Sequence, residues 1–188
     1  MRIVIAEDSV LLRAGLVRFL TEGGEEIVAA VGDAPSLVEA VERHRPQLAV
    51  VDVRMPPTLT DDGLRAALEV RERWPETAIL VLSQYVEERY ASELIAGDVS
   101  GVGYLLKESV FDGDQFIDAL ERVAGGGTAM DPAVIARLLS GTSPARGLGR
   151  LTEREHAVLA LMAEGLSNQA IGRRLFLSES AISKYTTS

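Results

Sequence analysis

The first 125 residues alternate between short, nearly uninterrupted apolar runs and longer stretches with apolar residues at helical spacing. Strands that are buried on both faces of a sheet read as continuous apolar runs of this kind. Strands that alternate with helices are typical of a parallel sheet covered by helices on both faces. We therefore predict an α/β fold with a five-stranded, doubly wound parallel sheet, whose strands are Ile3–Ala6, Ile27–Val31, Leu48–Val53, Ala78–Leu82 and Tyr104–Leu106.

The chain changes character after this region. Residues 126–148 hold a short apolar segment, Pro132–Leu139, and then a stretch rich in Gly, Ser and Pro that is typical of a linker. Short helical patterns return at Leu151, where Thr152 and Glu155 have the spacing of a capping box. We predict an α/β domain at 1–125, a linker with a short helix at 126–148, and a small all-α helix-turn-helix domain at 149–188.

The composition excludes several classes of protein. Of the 188 residues, 47% are hydrophobic and 25% are charged, which is ordinary for a globular chain and unlike a disordered one. No window holds the roughly 18 consecutive apolar residues of a membrane helix, and acids arrive at Glu7 and Asp8, before a signal peptide could form. The absence of cysteine excludes disulfide scaffolds, zinc–thiolate sites and cysteine nucleophiles. We expect a cytoplasmic protein with no membrane partner.

The formal net charge of −9 argues against nucleic acid, because proteins that bind it usually carry a basic surface. The charge is unevenly distributed, however. Residues 1–148 hold 14 Lys/Arg and 24 Asp/Glu, a net charge of −10, whereas residues 149–188 hold 5 Lys/Arg and 4 Asp/Glu, a net charge of +1. On charge alone, the terminal helices fit a weak DNA-binding module and a helical subdomain packed on the first domain equally well.

Polar side chains follow the predicted strands at their carboxyl ends. Glu7 and Asp8 follow the first strand, Asp52 closes the third, Ser83 closes the fourth and Lys107 follows the fifth. Ligands of doubly wound sheets bind beyond the carboxyl ends of the strands. The sequence therefore predicts that one rim of the sheet collects carboxylates, a hydroxyl and an amine.

Three carboxylates on one rim repel one another, and a hard divalent cation such as Mg²⁺, which prefers oxygen ligands, relieves this repulsion. With the cation bound, one carboxylate is a plausible nucleophile toward a phosphoryl donor. Lys107 would neutralise charge on the transferred group, and Ser83 would hydrogen-bond it. Two of these residues also fit simpler roles. Asp8 could be the cap of the first helix, and Lys107 could be a solvated charge.

In their order and spacing, four segments resemble bacterial two-component response regulators of the LuxR-type (NarL/FixJ) subfamily, namely residues 5–8, 50–56, 81–83 and 103–107. The terminal segments Leu151–Glu155, Ala163–Asn168 and Ile171–Leu175 are similar to the DNA-binding motif of the same subfamily. The resemblance covers essentially the whole chain. It implies a receiver domain of the flavodoxin-like type, followed by a helix-turn-helix domain.

The resemblance also implies roles for individual residues. Asp52 matches the phospho-accepting aspartate, and Asp8 matches the carboxylate that binds Mg²⁺ directly. Glu7 matches the acid that usually acts on the ion through water. The backbone carbonyl of Arg54 matches the remaining protein ligand, and Ser83 matches the switch hydroxyl.

Two further residues are implied by the last of the receiver segments. Lys107 matches the lysine that contacts the phosphoryl group. Tyr104 matches the aromatic switch residue, which turns inward when Ser83 moves, although an ordinary strand-edge aromatic would also fit that position. Glu108 stands where many receivers have proline, a difference that is common in this subfamily.

In the terminal domain, the resemblance implies that Ser183, Lys184 and Thr187 face DNA bases, and Arg173 and Arg174 could approach phosphates, which position a protein on DNA without specifying sequence. The subfamily has a fourth helix after the recognition helix, and it contributes to dimerisation. We expect this chain to lack it.

The resulting expectation is a phosphorylation-controlled transcriptional regulator, not an enzyme beyond its own phosphorylation and dephosphorylation. Its partners would be a sensor histidine kinase, promoter DNA and a second copy of the chain, with Mg²⁺ as the cofactor. A Mg²⁺-dependent phosphatase with an aspartyl intermediate is an alternative, although haloacid-dehalogenase-type enzymes would have an aspartate where this chain has Arg54. A phosphorylation-independent interaction module is another.

Overall fold

The computed structural model describes residues 1–95, 100–140, 161, 166 and 168–175. It divides into two compact units, Met1–Ser83 and Gln84–Ser188. The elements of the first unit are β1 (Arg2–Ala6), α1 (Val10–Glu22), β2 (Glu26–Val31), α2 (Ala34–His44), β3 (Leu48–Asp52), α3 (Asp62–Arg73) and β4 (Ala78–Ser83). Those of the second are α4 (Glu88–Ile95), β5 (Val102–Leu106), a 3-10 helix (Lys107–Phe111), α5 (Gly113–Ala124), β6 (Thr128–Met130), α6 (Pro132–Ser140) and α7 (Asn168–Leu175).

The strands form one sheet in the order β2-β1-β3-β4-β5-β6. In the first unit, β1 pairs in parallel with both β2 and β3, and β3 pairs in parallel with β4. All residues of β3 and β4 are buried, which is why these strands read as continuous apolar runs. The α/β fold predicted from the sequence is confirmed.

The helices of the first unit begin and end at residues that suit those positions. Ser9 caps α1, and Asp33 caps α2 by accepting a hydrogen bond from the backbone N–H of Ser36 at 2.8 Å. Trp74 caps the end of helix α3, and its buried ring lies near two guanidinium groups. The guanidinium carbon of Arg45 lies 5.1 Å from the ring centroid and that of Arg73 lies 4.2 Å from it, so both make cation–π contacts.

The second unit contains a strand that the sequence did not predict. Strand β6 pairs in parallel with β5 and brings the sheet to six strands rather than five. With only three residues, directly after Gly125–Gly127, it is too short to produce a recognisable pattern, and it falls inside the region interpreted as linker. The short helix expected in that region is present as α6.

The last helix of the predicted α/β region begins later than its apolar pattern suggests. The apolar residues from about Val110 to Ala124 have helical spacing and predict one helix, but residues 107–111 form a 3-10 helix and α5 begins at Gly113. The side chain of Asp112 accepts a hydrogen bond from the backbone N–H of Gln115 at 3.3 Å, and this cap starts the new helix.

Only part of the predicted helix-turn-helix lies within the described residues. Helix α7 corresponds to its second helix, with Ile171 buried and with Arg173 and Arg174 exposed. Ser183, Lys184 and Thr187, predicted to face DNA bases, lie outside the described residues. Within the described part of the chain, no helix is long and apolar enough to cross a membrane.

Candidate metal centre

Three carboxylates converge at the carboxyl ends of β1 and β3. Glu7 and Asp8 directly follow β1, and Asp52 is the last residue of β3. Because Ala6 pairs with Val51, Glu7 and Asp52 are the next residues along these neighbouring strands. One carboxylate oxygen from each of Glu7, Asp8 and Asp52 lies within 4.8 Å of the other two.

The three carboxylates differ in their access to solvent. Glu7 is 1% exposed and Asp52 is 4% exposed, whereas Asp8 is the more accessible of the three. Burying charge without compensation is costly, and like charges at this separation repel. The cluster therefore favours a cation that enters from the side of Asp8.

Backbone donors hold two of these carboxylates in place. An oxygen of Glu7 accepts a hydrogen bond from the backbone N–H of Ser9 at 3.1 Å. An oxygen of Asp52 accepts one from the backbone N–H of Arg54 at 3.3 Å. Each carboxylate thus folds the turn that follows it back toward the site.

The first helix is capped by Ser9 rather than by Asp8. The hydroxyl oxygen of Ser9 accepts a hydrogen bond from the backbone N–H of Leu12 at 3.4 Å. This contact argues against the simpler role considered for Asp8, which lies instead in the carboxylate cluster.

Ser83 lies at the same end of the first unit. It is the last residue of β4 and is 3% exposed. Asp52 pairs with Leu82, and the N–H of Val53 donates to the carbonyl oxygen of Leu82 at 3.1 Å. Ser83 therefore comes directly after the residue that faces Asp52 in the sheet.

Gly63 supports the site, although no pattern in the sequence singled it out. The N–H of Gly63, in the first turn of α3, donates to the carbonyl oxygen of Val53 at 3.0 Å. A Cβ atom on this residue would lie 1.8 Å from the carbonyl oxygen of Asp52, a distance that two such atoms cannot share. The sequence feature that could have indicated this role is a glycine in the first turn of a segment with helical spacing.

A second missed residue is Arg13, on α1. Its guanidinium donates hydrogen bonds to the carbonyl oxygen of Glu7 and, at 3.4 Å, to that of Asp8. The available signal was a cation one helical turn after the start of the helix that follows the acids.

The loop between β3 and α3 has its own network of polar contacts. An oxygen of Asp62 accepts hydrogen bonds from the hydroxyl of Thr58 and from its backbone N–H, the latter at 3.1 Å. These bonds hold the pKa of the Asp62 carboxyl below its usual value. The neighbouring Asp61 accepts two hydrogen bonds from the guanidinium of Arg65, at 2.9 and 3.1 Å.

The second unit contains the two remaining predicted site residues of region 1–125, Tyr104 and Lys107. Tyr104 is fully buried in β5, which has a neighbouring strand on each side, so it is not a strand-edge aromatic. Its carbonyl oxygen accepts a hydrogen bond from the N–H of Asp131 at 2.9 Å. Lys107 directly follows β5 as the first residue of the 3-10 helix and is half-buried.

The donor atoms of the cluster suit the cation expected from the sequence. Its three side chains offer only carboxylate oxygens, which are the ligands that Mg²⁺ prefers, and one or two carboxylates suffice because the ion keeps several waters. Glu7, Asp8 and Asp52 therefore fit a hard divalent cation.

Two family models match the chain. Residues 3–121 match the model described as "Response regulator receiver domain", and residues 149–188 match the one described as "Bacterial regulatory proteins, luxR family". The first match alone spans more than half of the chain.

Curated relatives match along nearly the whole length. The chain is 32% identical to the transcriptional regulatory protein DegU of Brevibacillus brevis, over 99% of this chain and 84% of that protein. It is 30% identical to the DNA-binding transcriptional activator DevR/DosR of Mycobacterium tuberculosis, over 99% of this chain and 85% of that protein.

Solved structures share the fold. The RcsB response regulator of Salmonella typhimurium superposes with a TM-score of 0.65 at 23% identity, covering 98% of this chain and 88% of that one. A LuxR-family response regulator from Aurantimonas sp. SI85-9A1 superposes with a TM-score of 0.64 at 24% identity, covering 74% of this chain and 96% of that one.

Proposed function

This chain belongs to the response regulators that join a receiver domain to a LuxR-type DNA-binding region, and from that premise we propose that Asp52 accepts the controlling phosphoryl group. The protein is a phosphorylation-dependent transcriptional regulator. We assign the receiver to residues 1–125, a linker with a short helix to 126–148 and the DNA-binding domain to 149–188. The observation that carries the proposal for Asp52 is its convergence with Glu7 and Asp8.

We assign Mg²⁺ to this cluster. Asp8, Asp52 and the backbone carbonyl of Arg54 would bind it directly, and Glu7 would act through a bound water. The ion, when bound, supplies positive charge that stabilises the phosphoryl oxygens during transfer. The hydrogen bonds to Glu7 and Asp52 from the following backbone support this assignment, because they hold both carboxylates toward the site.

The reaction is the transfer of a phosphoryl group to a carboxylate. An oxygen of Asp52 forms the new bond to phosphorus, while the bond between phosphorus and the imidazole nitrogen of the donor histidine breaks. The imidazole keeps the electron pair and takes up a proton, and an acyl phosphate results. Ser83 would hydrogen-bond the transferred group and Lys107 would neutralise its charge, as in the family.

The acyl phosphate is also the group that is later hydrolysed. We infer that the chain takes part in its own phosphorylation and dephosphorylation and turns over no other substrate. Water attacks phosphorus, the oxygen–phosphorus bond to Asp52 breaks, and the carboxylate is released with inorganic phosphate. In the earlier step, the phosphorylation of Asp52, the expected donor and partner is a sensor histidine kinase.

The output would be a change in dimerisation and in promoter binding. A phosphoryl group adds roughly 1.5 to 2 negative charges, and Ser83 and Tyr104 would respond to it as the switch pair. Solved structures of RcsB include dimers bound to DNA, which supports the same output here. Arg173 and Arg174, exposed on α7, would contact phosphates, and Ser183, Lys184 and Thr187 would face bases.

Phosphotransfer to the wild type and to Asp52→Asn tests the proposal. Labelled phosphate from a phosphorylated histidine kinase, or from acetyl phosphate, should reach the wild type in a Mg²⁺-dependent manner and should not reach Asp52→Asn. Asp118→Asn, the same change at an exposed aspartate of α5, serves as the control and should be labelled normally. Equal labelling of the wild type and Asp52→Asn would reject Asp52 as the acceptor.

A further inference from the structure

We propose that Arg13 is a positioning residue of this site: it fixes the main chain that carries Glu7 and Asp8, and thereby sets the affinity for the cation. The inference rests on the proposed cation site and adds a residue to it. It concerns the turn between β1 and α1, in which both acids lie.

The contacts of Arg13 are with main-chain oxygens of these two acids. Its guanidinium donates to the carbonyl of Glu7 and, at 3.4 Å, to that of Asp8. On the other side of the same residue, the N–H of Glu7 donates to the carbonyl of Val31 at 3.1 Å. Glu7 is thus held through its N–H by β2 and through its carbonyl by α1, which fixes the direction of its side chain.

The contacts of Arg13 differ from those of Arg18 on the same helix. Arg18 pairs with the carboxylate of Glu22 at 2.8 Å, one turn along the same helix. Arg13 binds carbonyl oxygens instead, so it brings positive charge toward the acidic cluster without occupying carboxylate oxygens that a cation needs. It stabilises the turn and competes with no ligand.

A second position, distant in sequence, supports the same role. Gly32 follows β2 directly, and a Cβ atom there would lie 2.8 Å from the Nη1 atom of Arg13. Nη1 is the atom that reaches both carbonyls. Glycine at this position therefore leaves the space that the guanidinium occupies.

The size of the effect follows from how metal sites respond to their supporting groups. Residues that orient a ligand without touching the metal typically change metal affinity by about 10- to 100-fold when they are removed. We expect Arg13→Ala to weaken Mg²⁺ binding by that order. Arg13→Lys, which can reach one carbonyl with a single ammonium, should lose less.

Calorimetric titration of the full chain with Mg²⁺ tests this expectation. Arg13→Ala should bind about 10- to 100-fold more weakly than the wild type, and Arg18→Ala, on the same helix, should bind like the wild type. Gly32→Ala should weaken binding as well, because the new methyl group displaces the guanidinium. Gly32→Ala and Arg13→Lys remove fewer atoms than Arg13→Ala, so they test the role even where Arg13→Ala fails to fold.

Amide hydrogen exchange without Mg²⁺ gives an independent readout. The N–H groups of Glu7 and Ser9, bonded to Val31 and to the Glu7 side chain, should exchange faster in Arg13→Ala than in the wild type and in Arg18→Ala. If the wild type binds Mg²⁺ and the three variants at positions 13 and 32 bind it equally well, the role of Arg13 is rejected while the site stands. If the wild type binds no Mg²⁺, the site itself is rejected, and this role with it.

Discussion

At the scale of single residues, main chain packs tightly around Asp52. The first turn of α3 passes so near its carbonyl oxygen that residue 63 has no room for a Cβ atom. The contact cannot relax through a side-chain rotation, because the opposing atom is backbone. The position of Asp52 therefore depends on a residue that has no functional group.

Gly63→Ala should both destabilise the protein and weaken Mg²⁺ binding. Overpacking of a buried position typically costs about 1–3 kcal/mol, and the collision displaces Asp52 directly. Gly15→Ala is the control, since no atom lies within 4 Å of a Cβ built there. In the exposed middle of α1 it should stabilise by about 0.5–1 kcal/mol. Denaturant melts of both variants would show opposite shifts, and equal shifts would contradict the steric explanation.

The lowered pKa of Asp62 gives a prediction about pH. Because the bonds from Thr58 favour the charged carboxylate, the folded protein keeps Asp62 ionised to a lower pH than the unfolded chain does. The resulting stability is present above the ordinary aspartate pKa and is lost as the pH falls through the lowered value. Thr58→Val removes the hydroxyl donor, so the pKa of Asp62 measured by NMR should rise toward normal. An unchanged pKa, or an equal rise in Thr21→Val, would contradict this cause.

Sequence and structure agree at this scale for residues whose role follows from where a strand ends. The carboxylates of Glu7, Asp8 and Asp52 were predicted to meet, and they do. Gly63 was missed because its role depends on how closely two backbone segments approach, and Arg13 and Gly32 were missed because their contacts depend on where a long side chain lies. Such distances have no counterpart in a pattern of residue types.

At the scale of elements, Asp131 connects three pieces of the second unit. One oxygen of its carboxylate accepts from the N–H of Ala133 at 2.9 Å at the start of α6, and the other accepts from the hydroxyl of Ser109 at 2.7 Å. Its own N–H donates to the carbonyl of Tyr104 at 2.9 Å. The 3-10 helix that begins with Lys107, the strand that carries Tyr104, and α6 therefore share one residue.

Ser109→Ala should loosen the start of α6. A hydrogen bond of this kind contributes about 1 kcal/mol, so amides in the first turn of α6 should exchange roughly fivefold faster in the variant, provided that they exchange by local opening. Ser100→Ala is a matched control, because the Ser100 hydroxyl donates to the carbonyl of Gly126 at 3.0 Å elsewhere in the same unit. Exchange in α6 that is the same in both variants would show that Asp131 does not depend on Ser109.

Long helices and strands could be predicted from the sequence, whereas two of the short ones could not. The strands and helices of the first unit carry enough residues for their periodicity to be read, and they lie where the pattern places them. Strand β6 has three residues, and the 3-10 helix Lys107–Phe111 occupies positions whose apolar residues fit a regular helix equally well. What determines these two elements is pairing with β5 and the cap at Asp112, both of which are tertiary or local geometric features.

At the scale of the whole molecule, the region that contains the cation site and the region that matches a DNA-binding family differ in net charge. Residues 1–148 carry a net charge of −10, and residues 149–188 carry +1. An excess of acid suits a site that binds a cation, but it weakens the electrostatic attraction to DNA. Tight promoter binding by a single copy is therefore disfavoured, and two copies acting together would offset this weakness.

Beryllofluoride, which mimics a phosphoryl group on aspartate, should therefore change assembly and DNA binding together. With Mg²⁺ and beryllofluoride, the full chain should shift toward the dimer on a sizing column and should retard promoter DNA at lower protein concentration. Asp52→Asn should show neither change. A dimer that forms without any gain in DNA binding would separate the two outputs, and a wild type that responds in neither assay would contradict phosphorylation control.

Trp74 is the single tryptophan of the sequence, it is 4% exposed, and it contacts the guanidinium groups of Arg45 and Arg73 in the first unit. Intrinsic indole fluorescence during denaturation is therefore a spectroscopic record of that unit alone. Circular dichroism sums over helices in both units. Coincidence of the two melting curves would mean that the units lose their structure as one cooperative body, and a gap between them would mean that they melt separately.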